Sequence, residues 1–566
     1  MRRSLLAASC LLIVGVSLRC GDNASASGTS ATPTATSVPL FDGLGKHTRK
    51  VRTSSPEAQR YFDQGLNFLY AFNHDEAIRS FRRAAELDPD CAMAYWGIAY
   101  ANGPHINRPS VDAPRVKSAW EALEKARKLA PRAGTLEREL IAALDKRYAM
   151  PQPEDRTPLD QAYADAMRAV WKRHGDDADV GAMFAESLMD LRPWDLWKPD
   201  GTPQPGTDEI LATLEKVMAN KPDHPLAVHL YIHAVEASPH PEKADAAADR
   251  LRDLAPGLGH MVHMPSHIDV RRGRWEKAAI ANQKAMAADR AYREKSSQQN
   301  FYRLYMAHNH HMLAFASMMQ GQSAQALHAV REMVAGIPED WLKQNAFADG
   351  FIAMPIEMLV RFGRWDEVLA EPEPAEYLPV TRAMRHQARG VAYAAKGMLP
   401  EARAEEQAFL AARAKVPADA TFGNNSALDL LNVAEHMLAG EILVADGKLD
   451  DGLARLRAGV KAEDALRYDE PPDWILPVRH ALGAALVRHG RAEEAEQVYR
   501  DDLHKLPENG WSLYGLARSL ALQKKDAEAA QVQVRFDKVW SAGDLEISSS
   551  CLCQPGPVEE RTGAAR

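Results

Sequence analysis

A pattern of large and small residues that recurs every 34 residues constrains the fold of this chain more than any other feature. Within one unit, large apolar residues occupy positions 4, 11 and 24, small residues occupy positions 8, 20 and 27, and proline occupies position 32. Steps of three and four residues place these side chains on one face of a helix. Each unit is therefore predicted to contain two helices. The unit beginning at residue 58 has all seven: Tyr61, Gly65, Phe68, Ala77, Phe81, Ala84 and Pro89.

The same register extends through most of the chain. In five central units a glycine lies five residues before position 20, as Gly273 does before Ala278. Some neighbouring units are 34 residues apart and others 42 to 50, so longer helices or loops interrupt the array. Residues 113–210 are helical in pattern but poor in the consensus, and an ordered loop insertion is expected near 193–206. Units begin at residues 58, 92, 225, 259, 307, 349, 383, 433, 476 and 510.

These positions are those of the tetratricopeptide repeat, and the chain resembles that family. The resemblance implies an all-α fold, a right-handed α-solenoid of helix-turn-helix units that bury their apolar faces by stacking. The length of 566 residues suits such an array better than a single core. No sustained alternation of apolar and polar residues predicts strands. The family binds protein or peptide ligands in a concave groove, which positions 2, 5, 9 and 12 of each first helix line.

Three further segments are similar to exported bacterial tetratricopeptide proteins. They are the His-Met-Pro-Ser-His run at 263–267, the Pro-Asp-Trp turn at 472–474 and the Cys-Leu-Cys tail at 551–553. This resemblance covers most of the chain and implies no activity of its own.

The first 20 residues have the proportions of an export signal. A positive start precedes an apolar run at residues 5–18 that is too short to span a bilayer. Cys20 closes this run, as the lipidated cysteine does in bacterial lipoproteins, although Arg19 departs from the small residue found there. Cleavage in the following Ala/Ser-rich stretch is the alternative. Both alternatives predict an extracytoplasmic protein, either periplasmic or tethered to the membrane through lipidated Cys20.

Repeat content divides the rest of the chain. Residues 21–55 are predicted to be a flexible linker and 56–224 an N-terminal helical region with the loop insertion. Histidine-rich units follow at 225–348, further units at 349–541, and a cysteine-containing tail at 542–566. The formal net charge is −8 and there is no long basic run, so no nucleic-acid partner is expected.

Histidines concentrate at the groove positions of three successive first helices. Half of the 20 histidines lie within residues 224–311. His229 and His233 are four residues apart on one predicted helix, and His263 and His267 are four residues apart on the next. Two histidines at this spacing can reach one metal ion. Imidazole ligands suit copper, zinc, nickel or iron, so a copper or zinc site, with one ion or two, is predicted. The candidate metal ligands are His229, His233, His260, His263, His267, His308, His311 and Glu236.

The same residues also fit a groove that binds a protein or peptide without metal. In that interpretation the histidines donate hydrogen bonds or titrate near neutral pH. The chain has no G-x-S-x-G, H-E-x-x-H, P-loop or dinucleotide motif. The sequence therefore leaves open whether the protein is an enzyme. A metal-dependent enzyme using the histidine cluster and a scaffold without metal are the alternatives. Further candidate groove residues are Glu357, Glu441, His480, Trp96, Tyr100 and Phe315.

Overall fold

Helical pairs make up nearly all of the structure. The computed structural model describes residues 38–554, so the predicted export signal and Cys20 lie outside the described residues. Within 38–554 the only strands are Thr421–Phe422 and Asn425–Ser426, which form one short antiparallel pair. No helix in this part of the chain is long and apolar enough to cross a membrane. The fold of the described chain is an all-α solenoid, as the repeats predict.

Helices follow one another along the chain as first and second members of antiparallel pairs. The N-terminal helices are α1 (Pro56–Tyr70), α2 (His74–Leu87), α3 (Ala92–Ala101), α4 (Ala113–Leu129), α5 (Thr135–Leu144), α6 (Thr157–Arg173), α7 (Ala178–Met189) and α8 (Thr207–Asn220). The central helices are α9 (Pro225–Glu236), α10 (Asp245–Leu251), α11 (Gly259–His263), α12 (Pro265–Arg271), α13 (Trp275–Lys295), α14 (Arg303–Met319) and α15 (Ser323–Ala335).

The C-terminal half continues this alternation. Its helices are α16 (Glu339–Gln344), α17 (Met354–Arg361), α18 (Trp365–Ala370), α19 (Pro379–Ala395), α20 (Leu399–Arg413), α21 (Ala427–Ala445), α22 (Leu449–Asp464), α23 (Val478–Arg488), α24 (Ala492–Lys505), α25 (Gly510–Leu522) and α26 (Asp526–Trp540). Short 3-10 turns occur at Ala130–Arg132, Asp145–Arg147, Pro241–Ala244, Asn300–Tyr302, Ala346–Ala348 and Gly350–Ala353.

The glycines that mark the register lie at the turns between the two helices of a pair. Gly273 has a φ of 66° and Gly363 a φ of 63°, in the left-handed region that residues with a side chain seldom adopt. Each follows the end of a first helix, and the second helix begins within two residues. The repeat therefore specifies both the packed faces and the turns that join them.

Residues 39–55 differ from the predicted flexible linker, because they pack along the N-terminal helices. The Gln64 side chain accepts a hydrogen bond from Phe41 N (2.9 Å) and donates one to Pro39 O (3.0 Å). Farther on, His47 Nε2 lies 2.9 Å from Asp179 Oδ1. Gln64 on α1 and Asp179 on α7 are buried polar side chains. The composition of residues 39–55 does not reveal that this segment contacts them.

The C-terminal pairs return to pack against the central ones. Trp275 Nε1 at the start of α13 donates to Pro507 O (3.0 Å), and Trp511 Nε1 on α25 donates to Met318 O (2.8 Å). Gly321 leaves no room for a side chain, since a Cβ there would lie 2.3 Å from the Trp540 ring. Distant units therefore share one interior. The loop after α22 also reaches α12, where the Arg271 guanidinium lies 5.5 Å from the Tyr468 ring.

We predict that Trp511→Ala destabilises the protein by about 3–5 kcal/mol, because it removes a fully buried indole and its hydrogen bond at this junction. Urea denaturation of the full chain, followed by helical circular dichroism, measures the change. The matched control is Leu522→Ala on the same segment, whose side chain is 54% exposed. Equal urea midpoints for Trp511→Ala and Leu522→Ala would show that packing of Trp511 at this junction does not stabilise the protein.

Candidate metal centre

Three neighbouring first helices carry the clustered histidines. They are α9, the broken helix formed by α11 and α12, and α14. The break falls at Met264, just before Pro265, which has no N–H to donate to the preceding turn. All of the clustered histidines except His308 are buried, with exposed fractions of 0 to 6%.

Histidine set 1 consists of His229 and His233 on α9 and His260 on α11. Each offers a ring nitrogen within 4.8 Å of those of the other two. His229 Nε2 lies 3.1 Å from His260 Nε2, and the two rings meet edge to face. Nitrogen ligands at about 2.0–2.1 Å from an ion are separated by about 3.3 Å in a tetrahedral site. The set therefore already has the spacing of a coordination site.

Histidine set 2 consists of His263 on α11, His267 on α12 and His308 on α14. Its ring nitrogens also lie within 4.8 Å of one another. His267 Nε2 is 2.7 Å from His263 Nε2 and 3.4 Å from His308 Nε2. The structure gives each i,i+4 pair a third histidine, and His233, Glu236 and His267 form a further group that joins the two pairs. Ligand atoms are therefore placed for both predicted alternatives, one shared ion or two.

The two sets are related by the repeat itself. Each takes positions 5 and 9 of one first helix and position 2 of the next. The position 5 and position 2 rings have nearly the same arrangement in both sets, with centroids 4.9 Å apart at 72° in set 1 and 4.6 Å at 70° in set 2. Histidine set 2 is thus a copy of histidine set 1, shifted along the chain by one repeat unit.

Hydrogen bonds at Nδ1 fix the orientation of four of these rings. His229 Nδ1 lies 2.8 Å from Tyr70 O, and His263 Nδ1 lies 2.7 Å from Asn282 Oδ1. Asn282 donates its amide nitrogen to Ala278 O, so its oxygen faces the imidazole. Carbonyl and amide oxygens only accept, and both rings must therefore carry a proton on Nδ1.

Glu236 has the same effect on one ring from each set. Its Oε1 lies 2.9 Å from His233 Nδ1 and its Oε2 lies 2.5 Å from His267 Nδ1. Burial opposes ionisation of this carboxyl, but His267 and His233 lower its pKa to about 2. Burial also tends to lower the pKa of His267, yet the charge and hydrogen bond of Glu236 raise it above its ordinary value. An ionised carboxylate at Nδ1 is the usual partner of a metal-binding imidazole.

With Nδ1 protonated, a neutral imidazole has its lone pair on Nε2. The Nε2 atoms of His263 and His267 then face each other at 2.7 Å as two acceptors. A cation or a shared proton between them is needed to make this contact favourable. His233 Nε2 is buried and has no hydrogen-bond partner among residues 38–554. The donor set therefore fits a transition metal.

Burial keeps most of these imidazoles neutral. It lowers the pKa of His229, His260, His263 and His308 well below the ordinary value of 6.5, and a neighbouring imidazole lowers each one further. Neutral imidazole is the form that binds metal, so no proton has to leave these four rings before an ion enters.

His311, a predicted ligand, lies apart from both sets. Its ring centroid is 6.2 Å from that of His308, and its closest described aromatic neighbour is Phe351, at 5.7 Å. It is not among the grouped ligand atoms of residues 38–554. One turn along α14, Phe315 is fully buried against Trp275 and belongs to the core.

The other groove candidates are scattered through the interior. Trp96 and Tyr100 are buried, and Tyr100 donates its hydroxyl to Glu186. His480 Nε2 lies 3.0 Å from Asp502 Oδ2. Glu441 contacts the C-terminal tail, and burial raises its pKa to about 7. None of these residues joins either histidine set.

Three contacts of the centre were missed from the sequence. Tyr70 supplies the carbonyl that orients His229, and the Phe72 ring lies 4.4 Å from the His229 ring and 5.6 Å from the His260 ring. Both come from the end of α1 and the turn that follows it, between the two helices of the first unit, far away in the chain. Asn282 did leave a signal, since it occupies position 24 of its unit, where the repeat has a large apolar residue.

A further group, His47, Asp179 and His224, is close enough to hold an ion but is already satisfied. Asp179 Oδ1 accepts from Tyr70 and faces Nε2 of both histidines, while Arg49 donates to Oδ2. His224 Nδ1 also accepts the N–H of Ala227 at the start of α9. This network is structural, and it fixes the end of α1 beside set 1.

A cavity of about 510 Å³ adjoins the centre. His233 and Glu236 lie in its wall, together with Arg271 and residues of the loop after α22. Trp194 also lines it and meets the His233 ring edge to face, with centroids 5.5 Å apart. Glu470, in the same wall, has one buried oxygen without a hydrogen-bond partner in the described chain. The cavity is large enough for a small molecule.

Comparisons with known proteins identify no family for this chain. No family model and no curated protein matches it. Among solved structures it is similar to the human IFIT1 dimer with PPP-AAAA, with 13% identity, a TM-score of 0.32, and coverage of 86% of this chain and 92% of that one. For the APC/C hetero-tetramer Cut9-Hcn1 the identity is 13%, the TM-score 0.31, and the coverage 85% and 76%. Similarity at this level says nothing about function.

Glu357 generates a prediction about pH and stability. Both of its oxygens are buried without a partner among residues 38–554, and burial raises its pKa to about 8. The folded state thus holds this proton more tightly than the unfolded chain, whose carboxyl has an ordinary pKa of 4.5. The stability that protonated Glu357 contributes is fully present below pH 4.5 and is lost as the pH rises towards 8.

We therefore expect Glu357→Gln to exceed the wild type in unfolding free energy at pH 9 by more than about 1 kcal/mol, and to differ little from it at pH 5. Urea denaturation at the two pH values measures this. Glu401→Gln, at an exposed position, is the control and should follow the wild type at both. If the two proteins differed in unfolding free energy by the same amount at pH 5 and pH 9, the raised pKa of Glu357 would be refuted.

Proposed function

We propose that this chain is a transition-metal protein with a dinuclear centre, in which histidine sets 1 and 2 each bind one ion. The convergence of Nε2 atoms whose Nδ1 partners are already fixed is the observation that carries the proposal. Glu236 connects the two sites through one ring of each and supplies negative charge beside them. Two adjoining ions make the centre suitable for holding a bridging ligand.

Copper and zinc are the metals that fit best. Each set offers three neutral imidazoles and no thiolate, and imidazole suits copper, zinc, nickel and iron rather than calcium or magnesium. Three protein ligands leave a coordination position open for water or a substrate. The coordination of each ion would thus resemble that of a catalytic metal site rather than that of a purely structural one.

Metal-dependent catalysis is the second candidate function, and the cavity favours it. A storage site needs no adjoining space, whereas here about 510 Å³ opens beside His233 and Glu236. Glu470 in the cavity wall has a free acceptor atom that can orient a bound molecule. We propose that a small substrate reaches an open metal position from this cavity.

The proposed location is extracytoplasmic, in the periplasm or at a membrane tethered through Cys20, as the first 20 residues indicate. The remaining alternative is a scaffold that binds a protein or peptide without metal. It predicts that the purified protein lacks metal and that the histidine variants are impaired in binding the protein or peptide instead.

Elemental analysis of protein purified without chelator tests the metal proposal. We predict about two equivalents of copper or zinc, and loss of both when His233 and His267 are replaced by Ala together. His260→Ala should remove one equivalent and His308→Ala the other, because each residue belongs to one set.

His489→Ala, at an exposed position outside both sets, is the matched control and should keep both equivalents. Helical circular dichroism should be unchanged in all variants. Absence of metal from wild type that has been loaded with copper or zinc and then desalted would refute the centre. One equivalent in the wild type, absent from both single variants, would favour a single shared ion.

Azide binding tests the role of the cavity. We predict that azide produces a charge-transfer band with the copper(II)-loaded protein and that Ala237→Trp, which fills the cavity next to Glu236, weakens azide binding about tenfold while both equivalents of metal remain. Ala411→Trp, at an exposed position, controls for the added indole. Unchanged azide affinity in Ala237→Trp would show that ligands do not enter through this cavity.

A further inference from the structure

The last described residues, 549–554 (the C-terminal segment), pack into the interior of the fold. Ser550 is 1% exposed, its carbonyl accepts from Arg361 (3.0 Å), and its hydroxyl lies 2.6 Å from that of Tyr499. Leu552 packs against Gly363, where a Cβ would lie 3.1 Å from the leucine side chain. These contacts hold the segment so that its two cysteines lie beside Glu441 of α21.

Cys551, Cys553 and Glu441 form a buried group of potential ligands. One atom of each lies within 4.8 Å of the others, and Glu441 Oε1 is 3.0 Å from Cys553 Sγ. Gln554 donates its amide to the other oxygen, which holds the carboxylate in place. All three ligand residues are less than 9% exposed.

The two cysteines are joined as a disulfide in the structure. A disulfide sulfur has no proton to donate to the Glu441 oxygen 3.0 Å away. Reduction gives two thiols at this position, and their thiolates can bind an ion that the Glu441 oxygen also reaches.

We propose that Cys551, Cys553 and Glu441, with the disulfide reduced, form a second metal site for a thiophilic ion of the zinc class. Reduction breaks the S–S bond with two electrons from a thiol reductant and two protons, which gives two thiols. Binding of the ion releases both thiol protons and forms two metal–sulfur bonds, while Glu441 supplies an oxygen ligand. Paired thiolates select zinc or copper(I) over hard cations.

This site is independent of the dinuclear centre. Its ligands come from α21 and the C-terminal segment, whereas the histidine sets come from α9, α11, α12 and α14. The histidine sets include no cysteine, so thiolate signals distinguish the two sites. Either proposal can therefore fail while the other stands.

Cadmium(II) binding to the reduced full-length protein tests the proposal, because cadmium thiolates have a distinctive ultraviolet charge-transfer band. We expect one equivalent with this band in protein reduced by a phosphine, and none in the oxidised protein. The band should persist when Cys10, Cys20 and Cys91 are replaced by Ser and disappear when Cys551 and Cys553 are. Replacement of His233 and His267 by Ala should leave it intact.

In protein whose His233 and His267 are replaced by Ala, Glu441→Gln keeps both thiols and should weaken zinc(II) binding about tenfold against a chromophoric chelator. It therefore tests the oxygen ligand even if the double cysteine variant loses its tail packing. Copper(I) binding with the same cysteine dependence would also support a thiolate site. The absence of any band that depends on Cys551 and Cys553, in protein whose free thiols have been counted after denaturation, would overturn the proposal.

Discussion

The buried carboxylate of Glu236 is the interaction on which the arrangement of the centre depends. An ionised carboxylate with 1% exposure is stable only when strong donors surround it, and here two imidazoles from successive repeats donate to it. Because each donates through Nδ1, each has its Nε2 directed towards its own histidine set. One side chain thus determines the tautomer and orientation of two ligands and the adjacency of both sets.

Closure of the solenoid supplies what the central repeats lack. The carbonyl of Tyr70 and the ring of Phe72 come from the first pair, and Tyr468 reaches the cavity from the loop after α22, where Arg271 lies 5.5 Å from its ring. Packing of Trp275 on Pro507 and of Trp511 on Met318 likewise joins the central pairs to the C-terminal ones.

The sequence was sufficient for the repeats and for the clustering of the histidines, because both depend on local spacing. Periodic small residues and glycines specify the helical pairs, and histidines at positions 2, 5 and 9 specify which side chains share a face. The division into two sets was not predicted, although in both sets positions 5 and 9 of one unit meet position 2 of the next. Contacts such as Tyr70 to His229 could not be predicted, because they depend on curvature that accumulates over many units.

Burial also bears on the choice between a metal centre and a peptide groove. A peptide must reach the polar stripe of a solenoid, but His229 and His263 are 0% exposed and the tail occupies space near Glu441. Buried polar atoms left without a partner cost about 1–3 kcal/mol each, and His233 Nε2 and His260 Nδ1 have none within residues 38–554. A fold that only displayed a groove would gain nothing from these unsatisfied imidazoles. Ions bound by the histidine sets would satisfy the ring nitrogens that face them, such as His233 Nε2. Metal binding therefore explains why the fold buries so many imidazoles.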